Sequence, residues 1–184
     1  MTAAKKIKTY TVQDYMSWDD NSRSEIIEGI YYDMSPAPRL SHQELAGTIY
    51  SDFKSVLASS KGKCQIFIAP TDVILSEITV VQPDILIVCD KKKTENGKNI
   101  DGAPDLIVEI LSPSTSLKDK REKRILYEKH GVSEYLIIDE TEKILEYFVM
   151  NKNGKYELPQ IFGSDEKLSL KLFKKHVFNL KNWF

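Results

Sequence analysis

Cysteine is nearly absent from this 184-residue chain: there are two, Cys64 and Cys89. They lie far apart in sequence, form no CxxC pair and have no Cys/His spacing of the kind that binds zinc. Both sit in apolar runs and read as core thiols in a reducing compartment. Long hydrophobic runs are missing too. No segment approaches the roughly 18–20 apolar residues that a membrane span needs. The first ten residues, MTAAKKIKTY, lack the apolar stretch of a signal peptide. The expected location is the cytoplasm, with no membrane partner. A surplus of either charge is also lacking, since 26 basic residues face 27 acidic ones and the net charge is −1. That balance neither favours nor excludes nucleic acid, because a basic face can hide in a neutral total. There is no Walker-type loop, Rossmann glycine pattern or GxSxG elbow. Internal repeats, low-complexity tracts and linkers are absent as well. With 41% hydrophobic residues, the length suits one domain over residues 1–184 with a real core.

What is present centres on residues 102–127, GAPDLIVEILSPSTSLKDKREKRILY. Residues 104–111 read as a short strand bounded by Gly-Ala-Pro and Ser-Pro-Ser. Its apolar residues on both faces mark a strand covered on both sides. Glu109 sits inside it, between Val108 and Ile110. An unpaired buried carboxylate costs several kcal/mol or shifts its pKa far upward, so a metal ion, a basic side chain or a proton is needed there. Upstream, Pro83-Asp84 opens a second strand-like run. If the two strands are neighbours, Asp84 and Glu109 converge within metal-binding distance. Two carboxylates plus a main-chain carbonyl, that of Ile110 being in place, suit Mg²⁺ or Mn²⁺. Asp119, Lys123 and Tyr127 follow at i, i+4 and i+8, one face of a helix.

The other elements are expected in this order. Residues 11–18 form a short helix capped by Thr11, and Asn21-Ser22 break it. A hairpin turns at Glu28-Gly29, and residues 35–38 form a loop. A helix capped by Ser41, with Glu44 completing a capping box, runs to about Ser60. Its apolar stripe is Leu45, Ile49, Phe53, Val56 and Leu57. Strands are expected at 64–75, interrupted at Pro70, and at 82–89. Residues 91–101 read as a flexible polar surface loop. A helix over 115–131 ends at Gly131. Strands at 134–139 and 143–150 come next, then a turn at 151–154, strand-like pieces at 156–162 and 168–173, and a terminal segment at 178–184.

The sequence resembles the Uma2 family, also called DUF820. The resemblance rests on Asp84, on PDLIVEILSPST, on Asp119-x-x-x-Lys123-x-x-x-Tyr127 and on Gly131 to Asp139, GVSEYLIID. It reaches upstream to Glu25-Ile26-Ile27-Glu28-Gly29, Ser35-Pro36, His42-Gln43 and Thr71-Asp72-Val73, and so spans about residues 10–150. The family is assigned to the PD-(D/E)XK restriction-endonuclease-like superfamily. This resemblance implies an α/β (α+β) fold with a mixed central sheet flanked by helices and extra antiparallel hairpins. It also implies a Mg²⁺-dependent endonuclease, with Asp84 and Glu109 as metal ligands. The superfamily pattern places lysine two residues after Glu109, where this chain has Leu111, and Lys123 on the following helix is the matching position. Glu25 is a further acid, and His42 is placed to act near the phosphate. DNA is the expected substrate and a homodimer the expected assembly, with Mg²⁺ (or Mn²⁺) as cofactor.

Other readings stand beside these. Glu109 pairs with a core cation such as Lys123, Asp84 serves as a turn residue, and Asp119–Lys123 is an ordinary i,i+4 ion pair. Tyr127 is a packing residue with a tethered hydroxyl. His42 is a helix-start residue, and His130 and His176 are structural. At the level of function, the alternatives are a nuclease-fold protein that binds nucleic acid or a partner without cleavage, and a metal-free enzyme with two carboxylates.

Overall fold

The computed structural model describes residues 8–18, 23–34, 37–60, 62–112 and 118–184. The expected break at Asn21-Ser22, the Ser35-Pro36 motif and the helix start at Thr115 therefore lie outside the described residues. Thr11 caps α1 (Val12–Met16), and Asp14 returns the bond to the Thr11 N–H, a capping box. β1 (Ser24–Ile27) and β2 (Ile30–Asp33) form the hairpin expected at Glu28-Gly29. Both turn residues have positive φ, 50° and 80°, which matches the twist of the flanking strands. A side chain at Gly29 would also collide with Thr9.

The long helix is α2 (Leu40–Ser59), but the expected Ser41 cap is not formed. Arg39, with extended backbone after Pro38, is the N-cap and makes no side-chain cap bond. Ser41 falls inside the first turn, where its backbone is helical and the capping position has passed. β3 (Gln65–Ile68), β4 (Val73–Ser76), β5 (Thr79–Val81) and β6 (Ile85–Val88) follow. The single strand expected at 82–89 is shorter, and Pro83, with no N–H for a ladder, separates it from β5.

The stretch expected to be a flexible loop at 91–101 has structure. Asp90 caps a 3₁₀ turn at Lys91–Thr94, and β7 (Ile100–Asp101) pairs in parallel with β4. Asn96 Oδ1 accepts the Lys98 and Asn99 N–H groups between them. After β8 (Leu106–Ile110), a π-helical turn (Lys118–Lys123) leads into α3 (Arg124–His130), which Gly131 ends at φ 86°. β9 (Glu134–Asp139) and β10 (Ile144–Val149) lie where strands were expected. β11 (Gln160–Gly163) and β12 (Lys167–Leu168) are shorter than the pieces expected at 156–162 and 168–173, and β13 (Phe178–Asn179) lies in the expected terminal segment.

Six strands form a mixed sheet in the order β11-β10-β9-β8-β6-β3, with β8 parallel to β9 and antiparallel to β6. A second sheet runs β2-β1-β5-β4-β7. One face of the six-stranded sheet packs against Leu45, Ile49 and Phe53 of α2 and against Leu170, Phe173, Phe178 and Trp183 of the C-terminal segment. The other face packs against Leu126 and Tyr127 of α3 and against Ile27, Val73 and Val81 of the second sheet. β8 is thus covered on both sides, as its apolar residues on both faces require. Among the described residues, no helix is long and apolar enough to cross a membrane.

The cysteines are not free thiols. Cys64 and Cys89 form a disulfide. β3 and β6 pair antiparallel with Gln65 opposite Val88, so continuing the register by one residue sets Cys64 against Cys89. Distance along the chain concealed a direct cross-strand pair.

Phe53 is fully buried, with ring centroids 5.1–5.7 Å from Phe173, Phe178 and Trp183. Phe53→Ala is expected to lower stability by about 3–5 kcal/mol in urea unfolding, the usual cost of emptying such a site.

Candidate active site

β6 and β8 bring the two leading acids together. Ile85 lies opposite Val108 in an antiparallel ladder, so one further step sets Asp84 against Glu109 on the face toward α3. Asp84 stays at the strand's entrance because Pro83 stops the ladder, and its Oδ2 accepts the Ile110 N–H at 2.8 Å. The other Pro-Asp pair plays a separate, structural part. Asp105 Oδ2 accepts the Cys89 N–H at 2.7 Å and ties the far ends of the same strands.

Glu109 is 4% exposed. Its Oε1 accepts from Lys123 Nζ at 2.8 Å and from Tyr127 Oη at 2.7 Å. Lys123, itself 2% exposed, lies 2.7 Å from Glu25 Oε1 and 3.6 Å from Asp119 Oδ1. The face shared by residues 119, 123 and 127 is therefore real, although its first part is a π-helical turn. Glu25 stands on β1. Its Oε1 also accepts the Gln82 N–H at 3.0 Å, and its Oε2 pairs with Lys118 Nζ at 2.8 Å.

His42, in the first turn of α2, approaches from the opposite face. Its Nε2 lies 3.2 Å from the Ile110 carbonyl oxygen and 3.3 Å from Asp84 Oδ2. Those two oxygens therefore converge on one point. His130 lies 3.9 Å from Glu28, and His176 stands edge-on to Phe178.

The electrostatics follow from who holds which cation. Burial raises the Glu25 pKa, but Lys123 and Lys118 outweigh it and bring it below the usual value. Glu109 shares Lys123 and has Asp119, Asp84 and Glu25 nearby, so burial prevails and its pKa rises to about 8. Burial also opposes charge on Lys123, but the carboxylates around it hold its pKa well above 10.5. For Tyr127, burial and then Glu109 push the phenol well above its ordinary value. His42 is disfavoured as a cation by burial, yet Asp84 and the Ile110 carbonyl raise its pKa on balance.

The carboxylates of Glu25, Glu109 and Asp119 gather around the Lys123 ammonium, with Lys118 on Glu25 and His42 beside Asp84. A divalent cation beside Asp84 and Glu109 would favour the ionised form of Glu109. Asp84 and the Ile110 carbonyl, already convergent and beside Glu109, are oxygen donors of the kind Mg²⁺ and Mn²⁺ take. The residues present fit such an ion. Among the described residues no group of three His, Cys, Asp or Glu side chains is arranged to hold a metal. The expected set has only two carboxylates, its third member being a main-chain oxygen.

Four side chains that build this cluster, or support it from behind, were hard to find in the sequence. Lys118 is the second cation on Glu25. Gln82 holds Glu25 through its backbone, and its Nε2 donates to Tyr15 Oη at 3.1 Å and Asp72 Oδ1 at 2.8 Å. Tyr15 in turn donates to Asp72 at 2.7 Å. The Thr71-Asp72-Val73 motif was the one signal for this group.

The Uma2 family, described as "Putative restriction endonuclease", matches residues 12–180. An uncharacterized protein of Synechocystis sp. (strain ATCC 27184 / PCC 6803 / Kazusa) is 26% identical over 163 residues, covering 86% of this chain and 83% of that protein. The crystal structure of "a putative nuclease belonging to DUF820 from Anabaena variabilis ATCC 29413" has a TM-score of 0.78. The match covers 95% of this chain and 97% of that one at 21% identity, a likeness of fold. The mixed α+β class expected from the sequence is the class found.

Two outcomes are expected. With its folded pKa raised from 4.5 to about 8, Glu109 contributes stability that is fully present below pH 4.5 and lost as pH rises to about 8. Urea unfolding of metal-free protein should show this decline, with a slope of at most about 1.4 kcal/mol per pH unit, and Glu109→Gln should flatten it. Lys123→Met removes the cation shared by Glu25, Glu109 and Asp119, and should cost about 3–5 kcal/mol at pH 7 in the same assay.

Proposed function

The chain belongs to the Uma2 family, and on that premise we propose that it is a metal-dependent endonuclease cleaving phosphodiester bonds in DNA. The observation that carries the reading is the convergence of Asp84 and the Ile110 carbonyl on one point, at the end of the strand that carries the buried Glu109. In this reading Asp84, Glu109 and the Ile110 carbonyl hold Mg²⁺ or Mn²⁺. A bound divalent ion lowers the pKa of water and screens charge on a phosphoryl oxygen. The protein supplies the rest. Lys123 is a cation fixed in place, its charge secured at neutral pH by the acids around it. Glu25 positions Lys123 and is itself held by Lys118 and the Gln82 N–H. Tyr127 donates to Glu109 Oε1 and fixes that carboxylate's orientation. Lys120 and Arg121, exposed on the turn that carries Lys123, offer charge to a phosphate backbone. Two chains related by a two-fold axis would present one such site to each strand of a duplex.

A specific contact favours a second reading, a nucleic-acid-binding module without turnover: Glu109 Oε1 is already engaged by Lys123 and Tyr127. One assay separates the two. Supercoiled plasmid, single-stranded DNA and RNA are incubated with wild type, Asp84→Asn and Glu109→Gln in Mg²⁺ or Mn²⁺. DNA cleavage by wild type, stopped by chelator and reduced about 100-fold or more in both folded variants, is expected, the scale set by loss of one preorganised charge-stabilising group. Cleavage unchanged in either variant would overturn the assignment. Retention of DNA on the wild type without any cutting would establish the binding module.

A further inference from the structure

Between β3, the edge strand of the six-stranded sheet, and β7 of the second sheet lies an open cleft of about 470 Å³, within the range of small-molecule pockets. It adjoins the candidate active site through two segments. Gln82, which lines the cleft, holds Glu25 by its backbone N–H and closely precedes Asp84 in the chain. Pro70 and Thr71 line it as well, and the Ala69 N–H beside them donates to the Asp84 carbonyl at 2.9 Å. The metal-nuclease reading gives this cleft no task.

The cleft holds one carboxylate, Asp72, and the fold commits two donors to fixing it. Tyr15 Oη donates to Asp72 Oδ1 at 2.7 Å, and Gln82 Nε2 donates to the same oxygen at 2.8 Å. Among the described residues Oδ2 has no partner. A carboxylate has about four lone-pair sites, so the pair on Oδ2 is left open. Gln82 gives its N–H to Asp72 although its own Oε1 is buried with no partner among the described residues. Such an orphan destabilises, so Asp72 is held at a cost to the fold. The donors nearby are open too. Gln65 Oε1 accepts the Thr94 hydroxyl and Asn99 Oδ1 accepts from Asn96, which leaves both amide NH₂ groups available. Lys98 adds an ammonium with no ion pair among the described residues. Phe67, on the same face of β3 as Gln65, gives the cleft an aromatic wall and is partly buried against the core.

We infer that this cleft binds an unpaired guanine of a nucleic-acid strand, with Asp72 Oδ2 accepting from the N1–H and N2–H groups of the base. The inference rests on the nuclease reading above and adds a base preference to it. Guanine alone among the bases presents two adjacent N–H donors on its pairing edge at neutral pH. One oxygen with two open lone pairs matches them. Adenine and cytosine offer an amino group beside a ring nitrogen whose lone pair the carboxylate repels. The guanine acceptors O6 and N7 suit the NH₂ groups of Gln65 and Asn99. Phe67 offers a surface for the ring, and Lys98 a charge for a neighbouring phosphate. A paired base has this edge occupied, so the ligand is single-stranded or turned out of a duplex. A free guanine nucleotide carries the same edge, but the nearness of Glu25 and Asp84 favours a strand.

Fluorescence anisotropy with short end-labelled thymine strands tests this in chelator, so that binding is read apart from cleavage. A strand with one central guanine should bind wild type about tenfold or more tighter than one with central adenine or hypoxanthine, the scale of a good base contact. Hypoxanthine differs from guanine only in lacking the N2 amine. Asp72→Asn should erase the preference, and the wild-type comparison of guanine with hypoxanthine carries the test if that variant fails to fold. Lys98→Ala should weaken all strands alike and lower the salt dependence by about one phosphate contact. Equal binding of the three strands, or a guanine preference unchanged in Asp72→Asn, would overturn the guanine pocket. Plasmid cleavage alongside that result would leave the nuclease reading standing. Displacement by dGMP as effective as by the unlabelled strand would overturn the strand as the ligand and assign the cleft to a free nucleotide. No binding of any strand, with no cleavage either, would overturn both.

Discussion

The ammonium group of Lys123 is the contact on which the arrangement depends. It joins Glu25 from the five-stranded sheet, Glu109 from the six-stranded sheet and Asp119 from its own turn, with all four groups almost wholly out of water. Hydrophobic burial alone would press these layers together in many ways, since it has no direction. A buried charge with three specified partners has one. Each carboxylate would be costly without the lysine, and the lysine costly without them, so they fix the approach of α3 and β1 to β8.

That ion cluster is not balanced. Glu25 has two cations and Glu109 a share of one, which is why the first stays ionised and the second is pushed to about pH 8. A structural ion network would be expected to close its charge. Here Glu109, the less well compensated acid, lies on β8, at whose end Asp84 and the Ile110 carbonyl face the same point. The imbalance is what a cation site needs, and it lies where the main strands of the sheet present their ends.

Much of this was legible from the chain. Glu109 declared itself by sitting among Val108, Ile110 and Leu106, where a carboxylate must have a partner, and the pattern 119, 123, 127 supplied one. The Glu28-Gly29 turn and the Gly131 helix end were marked by residues that accept positive φ. Other features depend on contacts far apart in sequence, and local pattern holds no record of them. Cys64 and Cys89 face each other only because β3 pairs with β6 in one register. Gln82 reaches Glu25 and Asp72 because two sheets meet there. Lys118 looked like one of many surface lysines, and nothing local shows that its ammonium turns inward to Glu25. The Ser41 cap failed for a smaller reason: the helix starts earlier, from extended backbone at Arg39 after Pro38, so Ser41 already lies in its first turn.

Completion of this cluster by a divalent ion is tested most directly by thermal unfolding at pH 8 with and without Mn²⁺. An ion that binds only the folded chain must raise its stability, by about 2.7 kcal/mol at one hundred times its dissociation constant. A clear upward shift of Tm is expected in wild type, absent or greatly reduced in Glu109→Gln. A Tm indifferent to Mn²⁺, or one that rises equally in Glu109→Gln, would contradict the metal site.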